Sequence, residues 1–238
     1  MNPSLVRVVL VRTRNPLNIG AVARAMSNFG FAHLRVVNPY DLAFREARSA
    51  VGAADVLATA EQYDSVPAAV ADCGLVVGTT AGQRRELQHP LRPLEEAAQL
   101  IRQQSCRVAL LFGSEKRGLS NEDLSYCHWL LRIPTRETSP SMNLGQAAAV
   151  CLYELARESD SVLKPQKTEP ARAADLHLIA SLLADILRDS GYRKADALQT
   201  GEEKLRRLMY RLGLQRSDAT LLMGMLRHIK RRLKNAGA

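Results

Sequence analysis

Residues 108–119 read VALLFGSEKRGL: an apolar run, Val108–Phe112, passes directly into a loop framed by Gly113 and Gly118. A short, unbroken apolar run of this kind predicts a strand buried on both faces, and therefore a parallel sheet with helices on either side. Four more short, mostly apolar runs follow the same pattern: Val6–Val11 (with Arg7 as the exception), Leu34–Val37 (containing Arg35), Gly74–Gly78 and Trp129–Ile133 (containing Arg132). Helical stretches separate them. Asn18 precedes an Ala-rich stretch reaching to about Phe29, with Gly30 placed to end it. Ser120 and Asp123 have the spacing of a capping box before Leu124. Ser141 or Asn143 can cap an Ala-rich helix running to about Glu158. The expectation is an α/β domain over residues 1–158.

Residues 159–174 read as a linker, polar and aperiodic, with Pro165 and Pro170. Residues 175–238 read as a basic, all-helical extension. Leu176, Ile179, Leu183 and Leu187 recur at helical spacing and Gly191 stops them. Thr200 and Glu203 suggest a capping box before Leu205, Leu208 and Leu212, and Ser217 or Asp218 a cap for a last helix containing Leu221, Met225 and Ile229. Three helices of this size bury too little surface alone, so they must pack on each other, on the main domain or on another subunit.

The formal charge of the chain is +9 and its pI about 9.7. From Asp160 onward there are 16 Lys and Arg against 9 Asp and Glu, so most of the excess lies in the extension. Lys204, Arg206, Arg207 and Arg211 form one cluster, and Lys230, Arg231, Arg232 and Lys234 another. Such clusters on helices suit a nucleic-acid backbone, with Lys204, Arg207 and Arg211 as candidate RNA contacts. Cys73, Cys106, Cys127 and Cys151 form no CxxC pair, and no histidine falls at zinc-finger spacing. They read as free thiols in a reducing cytoplasm, and no metal is expected. No apolar stretch approaches the length of a membrane span, and Arg7, Arg12 and Arg14 around the first apolar run do not suit a signal peptide, so a cytoplasmic location is expected.

Several chemistries drop out. Gly113 and Gly118 have the outer spacing of a phosphate-binding P-loop, but Leu119 stands where its lysine is required. No GxGxxG follows the first strand, and there is no GxSxG elbow. Three other loops remain. Asn18-Ile-Gly20-Ala-Val-Ala-Arg24 opens the first helix, with Gly20 and Arg24 on one face, where a cation can approach a phosphate past a glycine. Leu111–Leu119 couples a strand to a glycine loop carrying Glu115. Ile133-Pro-Thr-Arg-Glu-Thr-Ser-Pro140-Ser141-Met142-Asn143-Leu144 joins a strand to a helix through a polar loop longer than capping requires.

In this order and at these separations, the three motifs resemble the SPOUT methyltransferases, and within them the TrmH-type branch: N-x-G-x-x-x-R, F-G-x-E-x-x-G-L and S-x-N-L. The resemblance covers roughly Leu5 to Arg157, and the opening RVVLVRTRNPLNIGAVARAMSNFGF, the segment VVGTTAG and the helical extension fit it as well. It implies a C-terminal trefoil knot, which ordinary chain topology would have excluded. It also implies bound S-adenosyl-L-methionine, a homodimer with the site at the subunit interface, and methylation of a pyrimidine ribose 2′-OH in the tRNA anticodon loop. Carried onto this sequence, Arg24 becomes the catalytic arginine, serving the partner's site, with Ser141 and Asn143 as the polar pair of the third motif. Cofactor contacts fall on Thr79, Thr80, Ala81, Gly113, Ile133, Pro140, Ser141 and Met142, while Asn18, Glu115 and Gly118 shape the site. Pro140 departs from the small polar residue often found there and removes a backbone donor. A ribosomal RNA 2′-O-methyltransferase of the same fold, or a non-catalytic RNA-binding protein that kept it, stay as alternatives.

Overall fold

The computed structural model describes residues 2–39, 52–82, 88–157, 169–192 and 198–236. Seven parallel strands form one sheet among them: β1 (Val6–Val11), β2 (His33–Val37), β3 (Glu61–Tyr63), β4 (Leu75–Thr79), β5 (Leu91–Pro93), β6 (Val108–Phe112) and β7 (Trp129–Arg132). Their order is β3-β2-β1-β6-β4-β7-β5, parallel throughout. The five expected strands are present. The two additional ones, β3 and β5, are three-residue edges with the sequences EQY and LRP. Neither carries an apolar run, and proline is tolerated at such an edge.

Helices α1 (Pro16–Asn28), α2 (Ala54–Ala58), α3 (Val66–Val70), α4 (Leu94–Arg102), α5 (Asn121–Leu124) and α6 (Leu144–Ala156) connect the strands or follow them. Side chains alternate across β1, so its residues divide between two cores. Val6, Val8 and Leu10 pack with α1, α2, α4 and α6. Val9 and Val11 point the other way, toward α3, α5 and the C-terminal helices.

Those helices are α7 (Ala173–Asp189), α8 (Leu198–Arg211) and α9 (Arg216–Ala236). They pack on one another and also on the sheet. Leu176, Ile179, Met209 and Tyr210 share one core with Val9, Val76, Leu111 and Tyr126. The Tyr210 hydroxyl donates to the Ala173 carbonyl at 3.0 Å, and its ring meets His128 edge-on at 5.1 Å between centroids. The extension is therefore the cover of the second sheet face.

Several expected boundaries shift. Asn15, not Asn18, caps α1 by accepting from the Leu17 amide, and Pro16 occupies the first turn, where its missing N–H costs nothing. Asn18 lies inside the helix. Helix α8 begins at Leu198, so Thr200 is within it, and α9 begins at Arg216, ahead of Ser217 and Asp218. The Ser120–Asp123 capping box is present as expected. Of the expected linker, residues 159–168, with Pro165, lie outside the described residues. Its end is ordered: the Ala171 amide donates to the Leu214 carbonyl at 2.9 Å and the Ala173 amide to the Cys73 carbonyl at 2.8 Å.

Candidate active site

The neighbouring strands β1, β6, β4 and β7 all end on one edge of the sheet. Ligand sites of parallel sheets lie at such carboxyl ends. The loops that follow them enclose a pocket of about 530 Å³. Thr79, Thr80, Ala81, Gly113, Ile133, Pro140, Ser141 and Met142, the expected cofactor contacts, all line it, as do Asn18, Glu115, Gly118 and Asn143. Its floor is apolar, built by Phe112, Leu119, Leu131 and Leu144.

Local chemistry fixes each loop. After β4, the Thr79 hydroxyl donates to the Leu111 carbonyl at 2.9 Å, and the Gly82 amide donates to the Thr80 hydroxyl at 3.1 Å. After β6, the chain turns so tightly that the Gly118 amide donates to the Ser114 carbonyl at 2.8 Å. A Cβ on Gly113 would collide with the backbone of Gly118 and Leu119, so only glycine fits there. After β7, the Thr135 hydroxyl donates to the Pro140 carbonyl at 3.2 Å. That carbonyl thus has a partner inside its own loop.

One hydrogen-bonded chain ties the three sequence motifs together. The Glu115 carboxylate accepts from the Asn15 amide at 3.1 Å, the Arg14 amide at 3.3 Å and the Asn18 side chain at 3.0 Å. Asn143 in turn donates from its side-chain amide to the Asn18 side-chain Oδ1 at 2.9 Å. The Asn143 oxygen accepts from the Gly145 and Gln146 amides at the start of α6. Burial of Glu115 opposes its ionisation, but hydrogen bonds from Asn18 and from backbone amides outweigh it, and its pKa lies below the ordinary value. Beside it, Arg12 takes a positive φ of 53° and pairs with Asp123, the residue that closes the α5 capping box.

Asn143 thus has its side-chain oxygen and one of its two side-chain N–H groups engaged within the protein. The exposed Ser141 hydroxyl remains at the rim. Arg24 does not line the pocket of its own chain. It lies on an exposed stripe of α1 with Leu17, Ala21 and Asn28. Lys116 and Arg117, not among the expected site residues, also line the pocket. Their position inside the glycine loop was the available signal.

The expected RNA contacts divide. Lys204 is exposed. Arg207 is only 9% exposed and donates to the Gln88 side chain, so its guanidinium serves to dock α8. Arg211 lies at the surface, with Nη1 donating to the Gln88 carbonyl at 2.8 Å. Arg206 stacks 4.2 Å from the Tyr126 ring centroid and donates to the Ser125 hydroxyl at 2.8 Å. Burial pushes the Cys73 and Cys151 thiols up to about 12, so neither supplies a thiolate. Among the described residues no cluster of His, Cys, Asp and Glu could hold a metal ion, and no helix is long and apolar enough to cross a membrane.

The sequence matches the SpoU rRNA Methylase family over residues 5–153. It is 36% identical over 235 residues to a tRNA (cytidine/uridine-2′-O-)-methyltransferase TrmJ of Photorhabdus laumondii, an alignment covering 95% of this chain and 97% of that one. The fold superposes on a crystal structure of TrmJ from Z. mobilis ZM4 with a TM-score of 0.83 at 32% identity, covering 94% of this chain and 98% of the other. A structure concerned with 2-OH methylation of C/U34 on tRNA aligns with a TM-score of 0.52 at 26% identity, over 66% of this chain and 97% of that one. The family match takes in every strand of the sheet and the three loops of the pocket, and on that ground the chain belongs to the SpoU methylase family.

Proposed function

We propose that this protein transfers a methyl group from S-adenosyl-L-methionine to the ribose 2′-OH of a pyrimidine in the tRNA anticodon loop, acting as a homodimer. The observation that carries the reading is the convergence of all three motifs on one pocket through the Glu115–Asn18–Asn143 chain. Relatives named as tRNA cytidine/uridine-2′-O-methyltransferases, aligned nearly end to end, support the substrate.

The pocket suits the donor. Its volume lies within the range for a nucleoside-sized ligand. Glycine and threonine loops line it around an apolar floor, and Glu115, held ionised by its hydrogen bonds, places negative charge among the lining residues, which would favour a cationic ligand. When bound, the donor supplies an electrophilic methyl on a neutral leaving thioether. Thr79, Thr80, Gly113 and Met142 would hold it, with Asn18 and Asn143 fixing the loops that orient it.

The residues then have separate tasks. Holding the ribose oxygen in line with the methyl removes most of the orientational cost, on the order of several kcal/mol. Arg24 would grip the phosphate beside the target ribose and stabilise charge developing on its oxygen; a guanidinium scarcely gives up a proton, so it is no base. The hydroxyl proton would leave through Ser141 or water. Because Arg24 is away from its own pocket, the reading assigns it to the partner's site. The exposed apolar side chains Leu17 of α1 and Val150 and Tyr153 of α6, two helices packed on each other, support such a dimer. A knotted path is supported by the 133–143 segment lying in one pocket with the 79–82 and 113–118 loops, and by α6 packing on α1. We keep the division into a catalytic unit over 1–158, a connector over 159–174 and an extension over 175–238, whose exposed cations, Lys204 among them, would meet RNA.

Transfer of labelled methyl to bulk tRNA and bulk ribosomal RNA, followed by mass spectrometry of the nucleosides, tests the reading. The expected products are 2′-O-methylcytidine and 2′-O-methyluridine from tRNA. Label confined to ribosomal RNA, or to a base, would overturn it.

A further inference from the structure

Gly52 lies two residues before α2, just ahead of its N-cap Ala53, with φ at +92°. This is a backbone conformation that L side chains rarely adopt. A second constraint acts at the same place. A Cβ added to Gly52 would fall far inside van der Waals contact of Arg24 Nη1, and 3.0 Å from its Cζ. The guanidinium of Arg24 thus lies directly against the bare backbone of Gly52.

Of the two, the backbone is the firmer partner: the Arg24 guanidinium ends an exposed side chain and is the group that a Cβ at 52 would displace. The Arg24 stem is fixed to α1 between the fully buried Val22, Ala23 and Met26. Gly52 is followed by Ala53, 4% exposed, and by α2, whose Val56 and Leu57 enter the core that also holds Ile19, Val22 and Ala23. The two helices are packed together, so the space between Gly52 and the arginine is set by the core beneath it.

We infer that Gly52 is a positioning residue for methyl transfer, forming the backbone wall against which the Arg24 guanidinium is aimed at the RNA phosphate. The inference rests on the proposed role of Arg24 in the reaction. Glycine is needed there for the space it leaves beside the arginine as well as for its φ. A side chain at 52 would push the guanidinium off its line, and a misplacement of about 1 Å can cost about 100-fold in rate.

Gly30 supplies the matching control. It also has a positive φ, +78°, but a Cβ there would meet nothing within 4 Å. Gly30→Ala therefore carries the backbone penalty without touching Arg24. The full-length Gly52→Ala, Gly30→Ala and Arg24→Ala proteins are compared in three measurements: turnover on saturating tRNA, S-adenosylmethionine affinity by calorimetry, and the Nε–H resonance of Arg24 in arginine-labelled protein, assigned by its loss in Arg24→Ala. The expected result is similar melting temperatures for the two glycine variants and unchanged donor affinity in both. Turnover falls by about 10- to 100-fold in Gly52→Ala only, together with a shift of the Arg24 resonance. In the Arg24→Ala background, adding Gly52→Ala costs no further rate. Equal turnover in the two glycine variants, or an Arg24 resonance unmoved by Gly52→Ala, overturns the inference. If Arg24→Ala keeps wild-type turnover, the role of Arg24 itself falls and takes the inference with it, even where the resonance shift shows the contact to be real.

Discussion

The Asn143 side-chain amide donates to the Asn18 side-chain oxygen at 2.9 Å, a bond between residues 125 positions apart that fastens the start of α6 to the first turns of α1. The same asparagine caps α6 with its other atom. Asn143→Ala loses both functions and is expected to cost about 2 kcal/mol. Asn143→Asp keeps the cap and loses the donor. Thermal melts should show alanine well below wild type and aspartate near it, while both lose most methyl transfer. An aspartate variant with full activity would contradict the positioning role.

Arg24→Lys preserves charge and removes the two-pronged guanidinium. Turnover should fall by at least about 10-fold if the arginine binds phosphate through paired donors. Near-normal turnover on saturating tRNA would exclude that geometry, and melting temperature should not move because the side chain is exposed.

Acid should weaken the cover formed by the C-terminal helices. Burial, then nearby Arg207 and Arg211, pushes His89 down to about 4; burial also pushes His128 down to about 4. Between about pH 6.5 and pH 4 the unfolded chain binds these protons and the native chain does not, so stability falls as pH drops through that window. Asp72, held below the usual carboxylate range by its hydrogen bond to Arg35, contributes stability that is lost only at still lower pH. Melting temperature should therefore decline from pH 7 to pH 5, and the decline should be shallower in His89→Gln. A flat profile over that interval would refute the assignment.

The exposed cations of the extension should set the salt dependence of RNA binding. Replacing Lys204, Arg231 and Arg232 by alanine is expected to weaken tRNA binding and to flatten the plot of log affinity against log salt by about 0.7 to 0.9 per lost phosphate contact. Donor affinity should stay unchanged. Arg207→Ala is expected to behave differently, lowering the melting temperature, because its guanidinium holds Gln88 beneath α8. An unaltered salt slope in the triple variant would remove the extension from the RNA interface.

The sheet was largely legible because apolar runs such as VRVVLV and VALLF leave little alternative to buried parallel strands. The edges β3 and β5 were not, since three polar or proline-containing residues give no period to detect. Asn18 reads as a cap in the sequence because asparagine before an Ala-rich run usually is one. The actual cap, Asn15, lies one residue before a proline at the first helical position, and this frees Asn18 to face Glu115 and Asn143. The motif positions were legible through resemblance, but which hydrogen bonds joined them was not, because that depends on loops meeting across the sheet. Likewise, the stripe Leu176, Ile179, Leu183 announced a buried face without naming the surface it covers. Arg207 looked like its neighbours in a basic cluster; only the helix phase on the sheet turned it inward.

That cover has a consequence for how the chain is made. Val9, Val11, Val76 and Leu111 emerge well before Leu176, Ile179 and Tyr210, which complete their cover. Until those residues follow, α3 and α5 shield this side of the nascent sheet only in part. The interval leaves apolar surface open to chaperones.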